Sequence, residues 1–124
     1  MLDITLSGKL SVLNSIIRDT INCRQKIVIF SQSLACLDHI SLFLTKGILV
    51  GPNSSEKYWI QFKHFYRIDG NTPLSQRTNY INLFNDRNNH TGVLMLISIR
   101  SGGLGVNLRG ASRVALVDCS WNPS

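Results

Sequence analysis

The apolar positions along this 124-residue chain change period several times, and each change marks an element. Between residues 7 and 20, Leu10, Leu13, Ile16 and Ile17 recur at helical spacing, with Ser7 placed as a cap. The run KIVIFS (26–31) is short, apolar and β-branched, which predicts a buried strand. Ser33 then stands where it would cap a second helix. Leu34, Leu37, Ile40 and Leu44 form its inner stripe, and it ends near Gly47. Residues 47–62, GILVGPNSSEKYWIQF, are rich in Gly, Pro, Asn and Ser and predict an irregular connection. A strand over 64–69 (HFYRID) follows. Thr72 is a natural N-cap with Pro73 in the first helical position, and Arg77, Tyr80, Ile81 and Phe84 continue at helical spacing. The polar stretch NDRNNHT leads to a strand over 92–98, a glycine-dense turn and a last strand over 113–119.

Apolar strands separated by amphipathic helices predict one α/β domain, a parallel sheet with helices on both faces. There is no internal repeat and no domain boundary. The apolar runs fall well short of the roughly 20 residues that a membrane helix needs, and Asp3 stands where a signal peptide carries positive charge. The three cysteines, Cys23, Cys36 and Cys119, lack ligand spacing and are expected to be reduced, small hydrophobes. Thirteen Lys and Arg, eight of them Arg, against seven acids give a net charge of +6, which favours a polyanionic partner such as nucleic acid.

In an open parallel sheet, ligands gather where the strands end. The loops expected there are 31–33, 69–72, 98–105 and 118–123, all rich in hydroxyls, amides and glycines. Four glycines between Gly102 and Gly110 exceed the needs of a turn and let main-chain N–H groups approach an anion. Arg100 adds charge there, and Ser98 and Ser101 add hydroxyl donors. Standard phosphate motifs fail: SGK at 7–9 lacks P-loop spacing, and Leu108 occupies the third glycine position of a G-x-G-x-x-G. The last failure argues against a Rossmann-type small-molecule enzyme. The single Glu, Glu56, lies in the 47–62 connection, His39 falls within the second helix, and His64 and His90 have no evident partner. No catalytic residue and no metal ligand set is expected.

The succession KIVIFSQS, YRIDGNT, RTNYINLFND and LISIRSGGLGVNLRGASRVALVDCSWNPS resembles the second RecA-like lobe of SWI/SNF-type ATPases. These are DNA translocases of helicase superfamily two that remodel chromatin. The tail VDCSWNPS and the EKYWIQF insertion look most like the ATRX-like branch, which includes the androgen-receptor-interacting helicases. The resemblance implies DNA-backbone contacts at Ser31, Gln32, Arg67, Gly70, Thr72, Ser98, Arg100, Ser101 and Gly102. It implies that Gly105 and Asn107 close on a nucleotide, and that Asp118, Trp121 and Asn122 couple this edge to an arginine-bearing helix. Ile99 stands where the family usually has Thr, so a hydroxyl contact to phosphate is lacking.

The sequence stops at Ser124, before the stretch in which the family keeps its arginine fingers. The implied unit, 1–124, is therefore an incomplete RecA-like helicase C-terminal lobe without its last helix. ATP and Mg in the intact parent would be bound mainly by a first lobe, and the chain alone would take no cofactor and hydrolyse nothing. Implied partners are DNA, through its backbone and without sequence preference, the first RecA-like lobe and chromatin proteins, but no membrane. The implied location is the nucleus. The rival expectation is a catalytically inactive interaction or decoy module derived from such a protein. Without the last helix, the sheet near Val114 and Leu116 is expected to stay uncovered and to favour aggregation.

Overall fold

A computed structural model describes residues 6–99 and 108–117. Elements run α1 (Leu6–Asn22), β1 (Ile27–Ser31), α2 (Leu34–Thr45), β2 (Phe65–Ile68), α3 (Leu74–Asn85), β3 (Leu94–Ser98) and β4 (Arg113–Leu116). All strand pairs are parallel and the order across the sheet is β2-β3-β1-β4. The central strands β1 and β3 are the most apolar because both of their faces are covered.

Period-2 alternation divides the core into two layers. Ile27, Ile29, Phe65, Leu94 and Leu96 point to the face packed by Leu13 and Ile17 of α1 and by Leu37, Ile40 and Leu44 of α2. Val28, Tyr66, Ile68, Met95 and Ile97 point to the opposite face, where Phe84 of α3 is buried and Tyr80 and Ile81 pack against the layer. Helices on both faces of a parallel sheet are what the sequence predicts. On the α3 side the cover stops short of β4, and Val114 and Leu116 are 68% and 72% exposed, as expected.

Ser33 caps α2, and its hydroxyl accepts the Cys36 N–H at 3.2 Å. Ser33→Ala should cost about 1 kcal/mol, since capping serines typically contribute 0.5–2 kcal/mol. A shift of the thermal midpoint measures it, and no shift would mean that solvent caps the helix equally well.

Several expectations need correction. The α1 helix already includes Leu6, so Ser7 lies inside it and not at the position before it. Leu34 is 45% exposed and leaves the inner stripe to Cys36, Leu37, Ile40 and Leu44. Pro73, not Thr72, occupies the N-cap position of α3 and has no side-chain group to bond with, while the Thr72 hydroxyl accepts the Asp69 N–H at 3.0 Å. Cys36 is buried in the core like a small hydrophobe, while Cys23 is free and exposed.

The 47–62 connection is irregular but not peripheral. Trp59 is 1% exposed in the α1–α2 core layer, and its indole Nε1 donates to the Val50 carbonyl at 2.6 Å. Its backbone N–H donates to the Leu44 carbonyl at 3.0 Å, tying the connection to the end of α2. Gly47, at φ +73°, makes the reversal that follows the helix. Phe62 also sits at positive φ, +72°, where the chain turns back and its N–H donates to the Phe65 carbonyl at 2.7 Å.

Candidate functional site

The C-terminal ends of β1, β2 and β3 carry most of the described candidate residues. Ser31 and Ser98 end adjacent strands in direct register, and both are buried. The Ser31 hydroxyl accepts the Ser33 N–H at 3.2 Å, so it shapes the entry to α2, while Gln32 between them is exposed. The pair arises because β1 and β3 each end on a serine at the point where the apolar run stops.

The turn after β2 is organised by one carboxylate. Asp69 Oδ1 accepts the Asn71 N–H at 2.8 Å, Asp69 Oδ2 accepts Arg67 Nε at 3.0 Å, and the Asp69 carbonyl accepts the Thr72 N–H at 3.1 Å. Arg77, one turn into α3, locks the same loop from outside: its Nε donates to the Thr72 carbonyl at 2.8 Å and its Nη2 to the Asp69 carbonyl at 3.0 Å. Burial pushes the Asp69 carboxyl up, but the Asn71 N–H, the Arg67 charge and bond and the Thr72 hydroxyl outweigh it and leave the group below its ordinary value.

This turn presents main chain outward. Gly70 is exposed, its N–H makes no hydrogen bond among the described residues, and α3 begins without a side-chain cap. Unengaged amides at a helix start attract anions. Arg67 is also engaged inside the chain. Its Nη1 pairs with Asp38 at 2.6 Å as its Nε pairs with Asp69, and the side chain is only 16% exposed. Two of its donors are therefore spent inside the chain, and it ties α2 to the β2 turn. Beside it opens a cavity of about 350 Å³ between Ser41, Phe62, Arg67 and Tyr80.

Of the eleven candidates, Ser31, Gln32, Arg67, Gly70, Thr72 and Ser98 are placed, and they gather at one edge of the sheet. Arg100, Ser101, Gly102, Gly105 and Asn107 lie outside the described residues, as do Asp118, Trp121 and Asn122.

His64 has partners that its sequence neighbours did not reveal. It is 1% exposed, its Nδ1 accepts the Ile60 N–H at 2.9 Å, and its Nε2 lies 3.3 Å from Glu56 Oε2. The Asn53 amide, with smaller help from Lys63 and His64, holds the Glu56 carboxyl below its ordinary value against the opposing effect of desolvation. The pair ties the 47–62 connection to the residue just before β2. Among the described residues no group of three or more His, Cys, Asp or Glu side chains could hold a metal ion. No described helix is long and apolar enough to cross a membrane.

Comparison with known proteins follows the same outline. The chain is 42% identical over 121 residues to human helicase ARIP4, 41% identical over 118 residues to Arabidopsis thaliana protein CHROMATIN REMODELING 20, and 39% identical over 126 residues to the mouse transcriptional regulator ATRX. These matches cover 94–95% of this chain but only 5–8% of those proteins. The fold superposes on the C-terminal part of the Fun30 ATPase domain with a TM-score of 0.69 at 26% identity, covering 94% of this chain and 33% of that one. It superposes on the Sulfolobus solfataricus SWI2/SNF2 ATPase C-terminal domain with a TM-score of 0.68 at 26% identity, covering 94% of this chain and 45% of that one. The sheet is therefore that of a RecA-like SNF2-type C-terminal lobe. The family model for the helicase conserved C-terminal domain matches residues 8–124, and the chain belongs to that family.

Proposed function

We propose that this chain supplies the second-lobe half of an ATP-dependent DNA translocase that acts on chromatin. The observation that carries the reading is the gathering of Ser31, Gln32, Gly70, Thr72 and Ser98 at one strand-end edge, with an open amide at Gly70 and an uncapped α3. Such an edge grips a phosphate backbone through main-chain N–H groups and hydroxyls, which carry no base information. Binding is then insensitive to sequence and steeply dependent on salt.

In this reading, ATP and Mg are held mainly by a first RecA-like lobe, and Gly105 and Asn107 meet the nucleotide when the lobes close. Closure moves this edge relative to the first lobe's grip and so advances the protein along DNA. In the same reading the parent works in the nucleus on chromatin. Support comes from the names of the relatives, which include helicases, a chromatin remodelling protein and a transcriptional regulator.

The test is a salt series of duplex DNA binding by the chain and its Arg100→Ala variant. Loss of one phosphate contact lowers the slope of log affinity against log salt by about 0.9. An unchanged slope would remove Arg100 from the backbone contact and with it the grip assigned to the glycine turn. Arg67→Ala should act differently, by loosening the Asp69 turn, since its charge is already paired.

A further inference from the structure

We propose that the opposite end of the sheet, where the strands begin, is a second contact surface for the backbone of duplex nucleic acid. The three segments that meet there are 19–26, 84–92 and 108–113, which hold Arg24, Lys26, Arg87, Arg109 and Arg113 against Asp19 and Asp86. Five basic side chains against two acidic ones account for half of the chain's net +6.

Hydrogen bonds hold these segments together. Lys26 Nζ donates to the Phe84 carbonyl at 2.6 Å and to the Asp86 carbonyl at 3.1 Å, drawing the end of α3 against the start of β1. Asn85 Oδ1 accepts the Gly110 N–H at 2.8 Å, and the Lys26 carbonyl accepts the Ser112 N–H at 3.0 Å. The rigid frame therefore fixes where the loop cations sit.

A blander account is that these cations only complement the negative ends of α1 and α3, which both finish here. It covers Lys26, whose ammonium is spent on carbonyls. Arg113 is likewise engaged, with Asp19, Gln25 and Cys23. Arg24, Arg87 and Arg109 are exposed, and their side chains make no ion pair or hydrogen bond among the described residues, which leaves their donors open to an outside anion. Arg24 and an exposed His90 line a cavity of about 490 Å³ with Gln25 and Lys26, and with Arg87 and Arg109 on the joined segments the cations at this end outnumber Asp19 and Asp86.

The partner chemistry follows from what accompanies the charge. No exposed Phe, Tyr or Trp lies in these three segments; Tyr58 and Phe62, which are exposed, belong to the 47–62 connection. Single strands are held by stacking platforms combined with charge, whereas a duplex backbone needs charge alone. Contact at both ends of one sheet would let the lobe touch two separate stretches of DNA.

The experiment is fluorescence anisotropy of a short labelled duplex with the chain and with the Arg24→Gln/Arg87→Gln/Arg109→Gln variant across a salt series. The variant is expected to lose about 2.7 from the salt slope, at about 0.9 per phosphate, with an unchanged melting temperature. Single Arg87→Gln, in an exposed loop, should lose about 0.9 and serves if the triple variant melts early. The same decrement should appear in the Arg100→Ala background, which separates this surface from the loop edge. An unchanged slope, no duplex affinity at low salt, or displacement of the duplex by polyglutamate as readily as by unlabelled duplex would overturn the proposal.

Discussion

Trp59→Ala is expected to lower the unfolding free energy by about 3–5 kcal/mol, the range for emptying a buried aromatic site. The residue belongs to a segment without regular structure, yet it is 1% exposed and packs in the layer that contains Leu37, Ile40 and Leu44. Truncation removes its apolar area from that layer and leaves the Val50 carbonyl without the indole N–H. It also removes the ring that stands edge-on to His64, at 6.3 Å between centroids. Guanidinium unfolding followed by circular dichroism measures the loss. Ile60→Ala, at a position 51% exposed, is the control and should cost well under 1 kcal/mol, as exposed substitutions do. Equal, small effects at both positions would show that the connection does not belong to the core.

Asp69→Ala is expected to cost about 2–3 kcal/mol, because hydrogen bonds to charged groups contribute about 1.5–3 kcal/mol each and their losses here are shared with solvent. The carboxylate is the common acceptor for Arg67 and the Asn71 N–H, and without it the Gly70 amide loses its fixed direction. Duplex affinity should fall together with stability, with little change in the salt slope because no phosphate-facing cation is removed.

The acid dependence has a definite sign. The folded Asp69 carboxyl lies below its ordinary value, so its contribution is present above the unfolded pKa. It is lost as pH falls below about 4 and through the lower folded value. Asp69→Asn keeps an acceptor for Asn71 but cannot titrate, and should flatten that acid limb. An acid limb identical in both proteins would place the titrating group elsewhere.

The element order was readable because strand and helix periods alternate cleanly and because Ser33 and Gly47 bracket α2. The edge that collects Ser31, Gly70, Thr72 and Ser98 was readable too, since parallel topology alone brings strand ends together. The segment 58–62 shows where such reading stops. Tyr58, Ile60 and Phe62 alternate as a buried strand face would, yet all three are more than half exposed, while Trp59 faces the core. Which of two alternating sets is buried depends on where the Trp59 N–H meets Leu44, a tertiary contact with no local signature. The pairing of Arg67 was hidden for a similar reason. Its partner Asp38 is 29 positions away, so no local pattern shows it. The basic end of the sheet was missed because its cations are scattered through three segments and no single window is strongly charged.

The way the 47–62 connection is closed also suggests a practical use. Its neck is fastened by the Trp59 bonds to Leu44 and Val50, and its tip by the Asn53 side chain, which accepts the Ser55 and Glu56 N–H groups at 2.9 Å and 2.8 Å. Ser54 and Ser55 project into solvent beyond both fastenings. A cysteine placed there in a Cys23→Ser background for a fluorophore would leave the sheet untouched and report distance to a label on bound DNA.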